Sequence, residues 1–329
     1  MGLLGFVRQL NIPFWRRFVA LSLLFTYVCC FPTLRLAAQQ RVPTDRTVSL
    51  FGRHDNDMWN VPVGSDRYYS SGLFGGRVVE DALPTNPLAD AFLHRNRFRR
   101  ERAWTITQHI YTPAIITQER FQPDGRPFAA FLSVTRSRTT IGPNGSFRVR
   151  SAWQFGVLGK YAAGELTQNS WHRMIPFAEE VVGWDHQVKP DLVVNYNPGL
   201  QLRMIDWIKV RAYLGVDARL GTLFTDLQPH IKVEIEPFAP TTVVRLTFFG
   251  ELRGRITAYD ATLRGGLINR DDRYRNRFDP DLVRGLYQMG GSLQWGRFVL
   301  DAGVSHATRE AAGFGLHGYG YFAARWRFH

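Results

Sequence analysis

The sequence predicts an all-β protein, a transmembrane antiparallel β-barrel of about 12 strands with a short helical insertion near residues 165–178. Large apolar side chains alternate with charged ones along segment after segment, so each segment has one apolar and one charged face. No apolar run is long enough for a spanning helix of roughly 20 residues. A closed barrel pairs every backbone group and therefore satisfies both observations.

The N-terminal residues differ from the rest of the chain. Arg16 and Arg17 precede an apolar run of 14 residues, Phe18–Phe31, and small residues follow at Ala37 and Ala38. This order of basic, apolar and small residues predicts a secretory signal peptide over residues 1–38. Residues 39–329 are then a single barrel domain, located in the bacterial outer membrane.

The charge of the exported chain limits its partners. Removing residues 1–38 removes four arginines and no acids, which takes the formal net charge from +13 to +9. Such a balance favours anionic partners such as lipid phosphates, and export argues against nucleic acid. Both cysteines, Cys29 and Cys30, lie in the predicted signal peptide, so the exported chain needs no disulfide.

The predicted strands follow one another along the whole exported chain. Clear examples are Phe147–Val157, Ile208–Ala218 and Val244–Leu252, whose apolar residues alternate with arginine, lysine and glutamate. The apolar faces also carry Trp104, Trp153, Trp295 and Trp326, as interfacial aromatic girdles do. The predicted strands lie near residues 47–57, 70–80, 101–111, 127–138, 146–158, 192–203, 207–220, 228–238, 242–253, 255–265, 284–307 (two strands) and 314–328. This count exceeds an even number by one, so one strand is misread or split.

The last strand has a pattern of its own. Phe322, Trp326 and Phe328 alternate with arginines in the segment Tyr321–Phe328. A C-terminal strand that ends in phenylalanine resembles the terminal strand of bacterial outer-membrane barrels, although here His329 follows it.

Four short clusters interrupt the alternation, and they contain the candidate functional residues. Strict alternation puts Asn56 and Asp57 on opposite faces, so both serve one site only if the strand ends or bulges there. Gln168 and His172 stand one helical turn apart, which presents an amide and an imidazole together. The clusters are His54–Asp57, Asp66–Gly72, Gln108–Pro113 with Asp124–Ala129, and Gln168–His172 with Gly183–Gln187.

Together these clusters resemble the lipid A 3'-O-deacylase family of outer-membrane β-barrels. The motifs that match in order and spacing are Asn56-Asp57, Tyr69–Phe74, Tyr111-Thr112-Pro113 and Gln168–His172. The resemblance implies a calcium-dependent esterase that removes the 3'-linked acyloxyacyl group from lipid A, acting as a monomer at the outer-leaflet end of the barrel wall. Its substrate would be lipid A or lipopolysaccharide within membrane lipid.

The resemblance also assigns roles to five residues, Asn56, Asp57, Ser70, Gln168 and His172. His172 is the expected general base, because a neutral imidazole abstracts protons well near pH 7. Asp57 is the expected Ca²⁺ ligand. Asn56 and Gln168 would orient water or donate to the oxyanion. Ser70 would position substrate or metal, although Ser71 is an alternative.

The sequence departs from the family pattern around residue 126. A glycine is inserted in Asp124–Ala129, and the loop 115–123 has no lysine, which leaves Arg120 or Arg126 as the only basic substitutes. Two other functions stay open at this point. One is a non-enzymatic barrel, a pore or scaffold, and the other is an outer-membrane phospholipase.

Overall fold

The computed structural model describes residues 46–59, 68–82, 98–174, 178–238 and 244–328. The predicted signal peptide and the pair Asp66-Arg67 lie outside the described residues. The described residues belong to one compact unit.

Antiparallel strands make up most of the described chain and close on themselves. The wall closes because β1 pairs with β13 and β4 pairs with β5. The strands are β1 Thr47–Asn56, β2 Tyr68–Ala82, β3 Arg99–Thr112, β4 Ala129–Ile141, β5 Phe147–Leu158, β6 Asp191–Tyr196, β7 Gly199–Asp206, β8 Val210–Gly221, β9 Phe224–Ile235, β10 Val244–Asp260, β11 Val283–Trp295, β12 Phe298–Ala307 and β13 His317–Phe328.

Strands β6 and β7 occupy a single position in the wall. Both pair with β5 on one side and β8 on the other. They are separated at Asn197-Pro198, because proline has no N–H to donate to a ladder. Across the gap, Asn197 N still donates to Ala152 O at 2.8 Å, and Ala218 N donates to Pro198 O at 2.9 Å. The described wall therefore has twelve strand positions, which confirms the predicted barrel.

The extra strand in the sequence-based count lies in β10. The predicted strands 242–253 and 255–265 are one strand, Val244–Asp260, so predicting two strands there was wrong. Pairing with β11 continues without a break from Arg253 to Ile256, because Gly254 extends the strand instead of forming a turn. The residues that follow, Ala261–Arg264, form a short helix, α2, capped by the Asp260 carboxylate.

The predicted helical insertion is confirmed as helix α1, Gly164–Met174. It ends before the predicted residue 178, because residues 178–183 have no regular structure. No helix among the described residues is long and apolar enough to cross a membrane.

The two faces of the wall carry different chemistry. Residues on one face include Ile106, Phe155, Leu252 and Phe322, all exposed. Residues on the other face form ion pairs across the interior, such as Arg150 with Asp217 at 2.9 Å. An apolar outer face and a charged interior are what a barrel in lipid requires.

The two ends of the barrel also differ. At one end, here called the loop end, the connections span residues 57–67, 113–128, 159–190, 261–282 and 308–316, with a short one at 222–223. The start of β1 and the end of β13 lie at the opposite end, here called the terminal end. Its connections span residues 83–98, 142–146, 207–209, 236–243 and 296–297.

Loops pack over the mouth of the barrel at the loop end. Arg126 is 1% exposed, and its Nε donates to Glu310 Oε2 at 2.6 Å while its Nη2 donates to Thr262 Oγ1 at 2.8 Å. These contacts join three separate loops. Beside them lies a buried apolar cluster that includes Tyr111, Leu263, Tyr274, Phe278 and Phe314. The described loops therefore cover the lumen.

The loop that follows α2 is anchored by two aspartates. Asp191 Oδ2 accepts from Ile268 N at 2.8 Å and from Asn269 N at 3.1 Å. Asp271 accepts from Arg273 Nε at 2.9 Å and from Lys189 N at 3.0 Å. Burial raises the pKa of the Asp271 carboxyl, but the hydrogen bonds and charge of Arg273 outweigh burial and hold the pKa below its usual range.

Candidate active site on the outer wall

Helix α1 lies against the outer face of the wall. The surface beneath it is formed by Ile110 of β3 and Ala130 of β4. Each lies four residues along its strand from an exposed residue, Ile106 or Val134, and therefore points to the same outer face. Gly164 allows the close approach, because a Cβ there would lie 2.5 Å from Ala130 Cβ. The wall also holds the turn before the helix, since Gln108 Nε2 donates to Ala162 O at 2.6 Å.

Trp184 completes the support of the helix. It is 2% exposed, and its ring centroid lies 4.9 Å from that of Phe128. A Cβ on Gly164 would also lie 2.7 Å from Trp184 Cη2. Trp184 thus packs beneath the start of α1.

His172 is held in one tautomer by the segment after the helix. Its Nδ1 lies 2.5 Å from the backbone O of Glu179. A carbonyl oxygen only accepts, so Nδ1 carries the proton and Nε2 is the basic nitrogen of the neutral ring. Asn169 fixes the same segment, because it donates to Val181 O and accepts from Val181 N, both at 3.1 Å.

Strand β1 ends at the predicted pair. Asn56 is its last residue, and Asp57 begins a 3-10 turn, Asp57–Trp59, so the alternation of faces stops between them. Asn56 Oδ1 accepts from Met58 N at 2.8 Å, which caps the turn and leaves the Nδ2 amide as a donor. Asp57 is 2% exposed.

A bulge in β2 sets the directions of Tyr69, Ser70 and Ser71. Pairing with β3 shifts between Tyr69 and Ser71. Tyr69 points into the lumen, where its hydroxyl donates to Asp55 Oδ2 at 3.0 Å. Ser70 Oγ lies 2.6 Å from Thr112 Oγ1, and Ser71 Oγ lies 3.3 Å from His54 Nε2. The bulge therefore places both serines on the outer side of the wall.

An aromatic contact joins α1 to the end of β1. The His54 ring stacks on the Trp171 ring, with centroids 5.4 Å apart, and its other neighbour is the Trp59 ring at 4.6 Å. Trp171 precedes His172, and His54 lies two residues before Asn56. The helix, the end of β1 and the start of β2 thus meet on the outer face at the loop end. Gln168 is buried one turn before His172.

The site offers oxygen donors to a metal ion. Asp57 supplies a carboxylate, and Asn56, Ser70 and Thr112 supply amide or hydroxyl oxygens, which suit a hard cation such as Ca²⁺. Within the described ranges, no group of three or more His, Cys, Asp or Glu side chains has the arrangement of a metal site. The oxygen set therefore fits Ca²⁺ in kind, and most of the coordination would fall to uncharged oxygens.

Arg126 does not belong to this site. It lies in the covered mouth, paired with Glu310, and its guanidinium carbon is 4.1 Å from the centroid of the Tyr111 ring. Of the two arginines named as substitutes for the family's basic residue, Arg120 and Arg126, the structure rules out Arg126, because its guanidinium is buried inside the barrel. Arg120 is exposed in its loop and forms no salt bridge with a described residue.

Two residues at the site were not identified from the sequence. His54 has the same parity as Asn56, so alternation alone puts both on the outer face. Thr112 ends β3 and belongs to the Tyr111-Thr112-Pro113 motif. The sequence did indicate a functional role for His54, because a histidine among the lipid-facing residues of a strand is unusual.

A protein-family model decides the relationship that the motifs suggest. The model described as "Outer membrane protein LpxR" matches residues 20–328. The chain belongs to the LpxR family. LpxR proteins are outer-membrane barrels, and outer-membrane barrels carry their longer loops outside the cell. The loop end, with the candidate site, therefore faces the extracellular leaflet.

One solved structure supports the fold. LpxR from Salmonella typhimurium has a TM-score of 0.68 and 21% identity, with 84% of this chain and 99% of that chain covered. The β domain of the Bordetella autotransporter BrkA has a TM-score of 0.43 and 10% identity, with 86% of this chain and 98% of that chain covered. No curated protein sequence has a significant match to this chain.

We predict that Gly164→Leu inactivates the protein without unfolding the barrel. The new side chain would overlap Ala130 and Trp184 and push the start of α1 off the wall. Heat-modified gel mobility should stay normal, while the deacylase activity that family membership suggests falls roughly 10²-fold or more, as catalytic misplacement does. Gly250→Ala is the matched control, because a Cβ there meets nothing within 4 Å. Full activity of Gly164→Leu would show that the helix need not touch the wall.

Proposed function

We propose that the protein is an outer-membrane esterase that removes the 3'-linked acyloxyacyl group from lipid A. The observation that carries the proposal is the bond from His172 Nδ1 to the Glu179 carbonyl, which makes Nε2 the basic nitrogen of the neutral ring. Membership of the LpxR family supports this choice of reaction and substrate. Lipid A is found in the outer leaflet, which is the leaflet nearest the loop end.

His172 would activate a water molecule for attack on the ester carbonyl. Its Nε2 takes a proton from the water as the new C–O bond forms, and the same proton can then pass to the leaving sugar oxygen. The acyloxyacyl group leaves as a free acid. The bond between Nδ1 and Glu179 O holds the ring in place while Nε2 becomes protonated.

The tetrahedral oxyanion needs donors, and the side-chain amides of Asn56 and Gln168 would supply them. The Asn56 side chain keeps its Nδ2 amide for donation because Oδ1 accepts from Met58 N. Gln168 stands one turn before His172 on the same side of α1. Removing a single oxyanion donor in other hydrolases costs about 2.7–4 kcal/mol in the transition state.

Asp57 would hold a bound Ca²⁺ together with neighbouring amide and hydroxyl oxygens. The cation would supply positive charge that polarises the ester carbonyl. Ser70 is oriented for a positioning role, because its hydroxyl is already engaged by Thr112 at 2.6 Å.

A covalent route through Ser71 is the competing mechanism. Ser71 Oγ lies 3.3 Å from His54 Nε2, a loose separation for a nucleophile and its base. His54 Nδ1 donates no hydrogen bond to any side chain or carbonyl of the described chain, so no third group orients the ring. His172 has such an orienting partner in Glu179. The geometry therefore favours water activated by His172.

The outer wall beside the site suits a fatty acyl chain. A depression of about 770 Å³ begins at His54 and crosses β13, β12 and β11. Its outward-facing floor consists of small residues, and larger apolar side chains flank it. The small residues are Gly52, Gly291, Ala302 and Ala324, and the larger ones are Leu246, Leu293, Leu300 and Phe322.

We predict that His172→Gln abolishes most hydrolysis, because it removes the base but keeps a polar side chain of similar length. Release of 3' acyl groups from lipid A, measured by mass spectrometry, should fall roughly 10²- to 10⁴-fold. His54→Gln is the control and should retain most activity. The reverse result, with His54→Gln inactive and His172→Gln active, would favour the Ser71 mechanism.

Removal of divalent cations should stop the reaction. Acyl release from lipid A is expected with Ca²⁺, to disappear with a chelator and to return when excess Ca²⁺ is added, because Asp57 would lose its cation. The same assay with phospholipid as substrate separates the alternative functions. Fatty acid release from phospholipid but not from lipid A would identify a phospholipase, and no release from either would favour a non-enzymatic barrel.

Filling the depression should weaken the reaction of long-chain substrates. Ala302→Phe would place a ring on the depression floor, so KM for lipid A should rise several-fold with a smaller change in kcat. Ala218→Phe on β8 is the matched control, since it adds the same ring to the outer wall away from the site. Equal effects of the two variants would show that acyl chains do not use the depression.

A further inference from the structure

The upper lumen, on the loop side, encloses a cavity separate from the site on the outer wall. Its volume is about 220 Å³. Five arginines and only two carboxylates line it. These are Arg53, Arg219, Arg253, Arg255 and Arg284 with Asp55 and Glu310.

Three of the five arginines are fully engaged by carboxylates. Arg53 Nε donates to Asp55 Oδ1 at 2.6 Å. Arg219 Nε donates to both oxygens of Asp226 at 3.0 Å. Arg253 bonds to Glu251 through Nη2 at 2.7 Å and to Asp217 through Nη1 at 2.8 Å. Their charges are compensated in place.

Arg255 is different. Its nearest carboxylate oxygen is Asp226 Oδ2, 3.9 Å from Nε, and that oxygen already accepts from Arg219. Within the described part of the chain, Arg255 donates no hydrogen bond. A guanidinium has five N–H groups, and in a barrel interior they need acceptors. Arg255 therefore presents N–H donors to the cavity that have no acceptor within the described chain, although its charge lies beside Asp226.

Other donors converge on the same cavity. Arg284 Nη1 lies 3.2 Å from Glu310 Oε1, but the angle is outside hydrogen-bond geometry. His109 Nε2 and His317 Nδ1 are buried, and neither has a hydrogen-bond partner among the residues described. Each imidazole nitrogen is able to donate in one neutral tautomer. The unsatisfied groups on the cavity wall are therefore mainly hydrogen-bond donors.

We propose that the cavity binds a small oxyanion of the phosphate or sulfate class. A tetrahedral oxyanion matches the planar fork of a guanidinium and accepts several charge-assisted hydrogen bonds at once. Arg255 and Arg284 supply guanidinium N–H groups that lack acceptors, and His109 and His317 supply further donors. The volume also leaves room for accompanying water.

The anion would enter from the terminal end. Below the cavity the lumen widens to a second space of about 560 Å³, and Arg53 and Phe74 line both. Above it, the Arg126–Glu310 pair and the loop cluster cover the mouth. The occupant is therefore a soluble ion and not the phosphate of a lipid headgroup in the outer leaflet.

Isothermal titration calorimetry of the folded full barrel in detergent tests the proposal. Inorganic phosphate and sulfate are titrated at constant ionic strength, and chloride is the comparison ion. The variants are Arg255→Gln, Arg255→Lys and the control Arg325→Gln, which removes an exposed inward arginine of the lower lumen. Wild type and Arg325→Gln should bind one phosphate or sulfate saturably.

Arg255→Gln should bind roughly tenfold more weakly or worse, because a charge-assisted bond is lost. Arg255→Lys should fall between it and wild type, since it keeps charge without the fork. Lipid A hydrolysis should not change in any variant. Absence of saturable binding to wild type, or equal binding by Arg255→Gln, would overturn the proposal.

Folding of Arg255→Gln adds a second readout. Arg255 has no described hydrogen-bond partner to lose, so its replacement should leave the thermal midpoint in chloride unchanged or higher. Phosphate should raise the midpoint of wild type more than that of the variant. Failure of Arg255→Gln to fold in chloride would show that Arg255 has a structural partner, and would contradict the proposal.

Discussion

The structure depends on the strict alternation of side chains along a closed wall. Neighbouring residues on one strand enter two different environments, the lipid side and the charged lumen. Asp55 points inward to Tyr69 and Arg53, while its neighbours His54 and Asn56 belong to the outer face. The same division separates His109, in the lumen, from Gln108, which holds the turn before α1. One short stretch of chain thus serves two unrelated sites.

Departures from this alternation create the candidate active site. Strand β1 ends at Asn56. If the strand continued, the Asp57 side chain would point into the lumen, but Asp57 instead begins a 3-10 turn. The bulge in β2 turns two consecutive serines to the outer side. Helix α1 then docks on the wall through Gly164, and Trp171, the residue before His172, stacks on His54 near the end of β1. Chemistry on a barrel wall requires such breaks, because a regular strand presents only every second residue to one side.

The sequence predicted those features that follow from local pattern. Period-two alternation predicted the strands and their faces, and the loss of alternation at Gln168–His172 predicted α1. The pattern also gave the condition under which Asn56 and Asp57 share a site, which the end of β1 fulfils. Alternation could not tell that Gly254 continues β10 instead of turning the chain, because glycine fits both.

The alternation of residues along the sequence does not show which distant segments pair with one another. Arg126 was one of two arginines named as substitutes for the family's basic residue, yet its partner, Glu310, is 184 residues away in sequence. The bulge at Ser70 and the lack of hydrogen bonds from Arg255 likewise depend on which strands become neighbours. His54 is the opposite case. The alternation already indicates that it shares the outer face with Asn56, and the structure adds its ring contact with Trp171.

In the proposed reaction the ester lies on the outer face of the wall, between His172 and Asp57. A crystal structure with Ca²⁺ and a non-hydrolysable lipid A analogue would show where the ester binds. We expect the analogue's carbonyl carbon on the lipid side, with the attacking-water position within hydrogen-bond reach of His172 Nε2. An analogue bound inside the lumen, or one whose carbonyl contacts Ser71 far from the His172 ring, would contradict it.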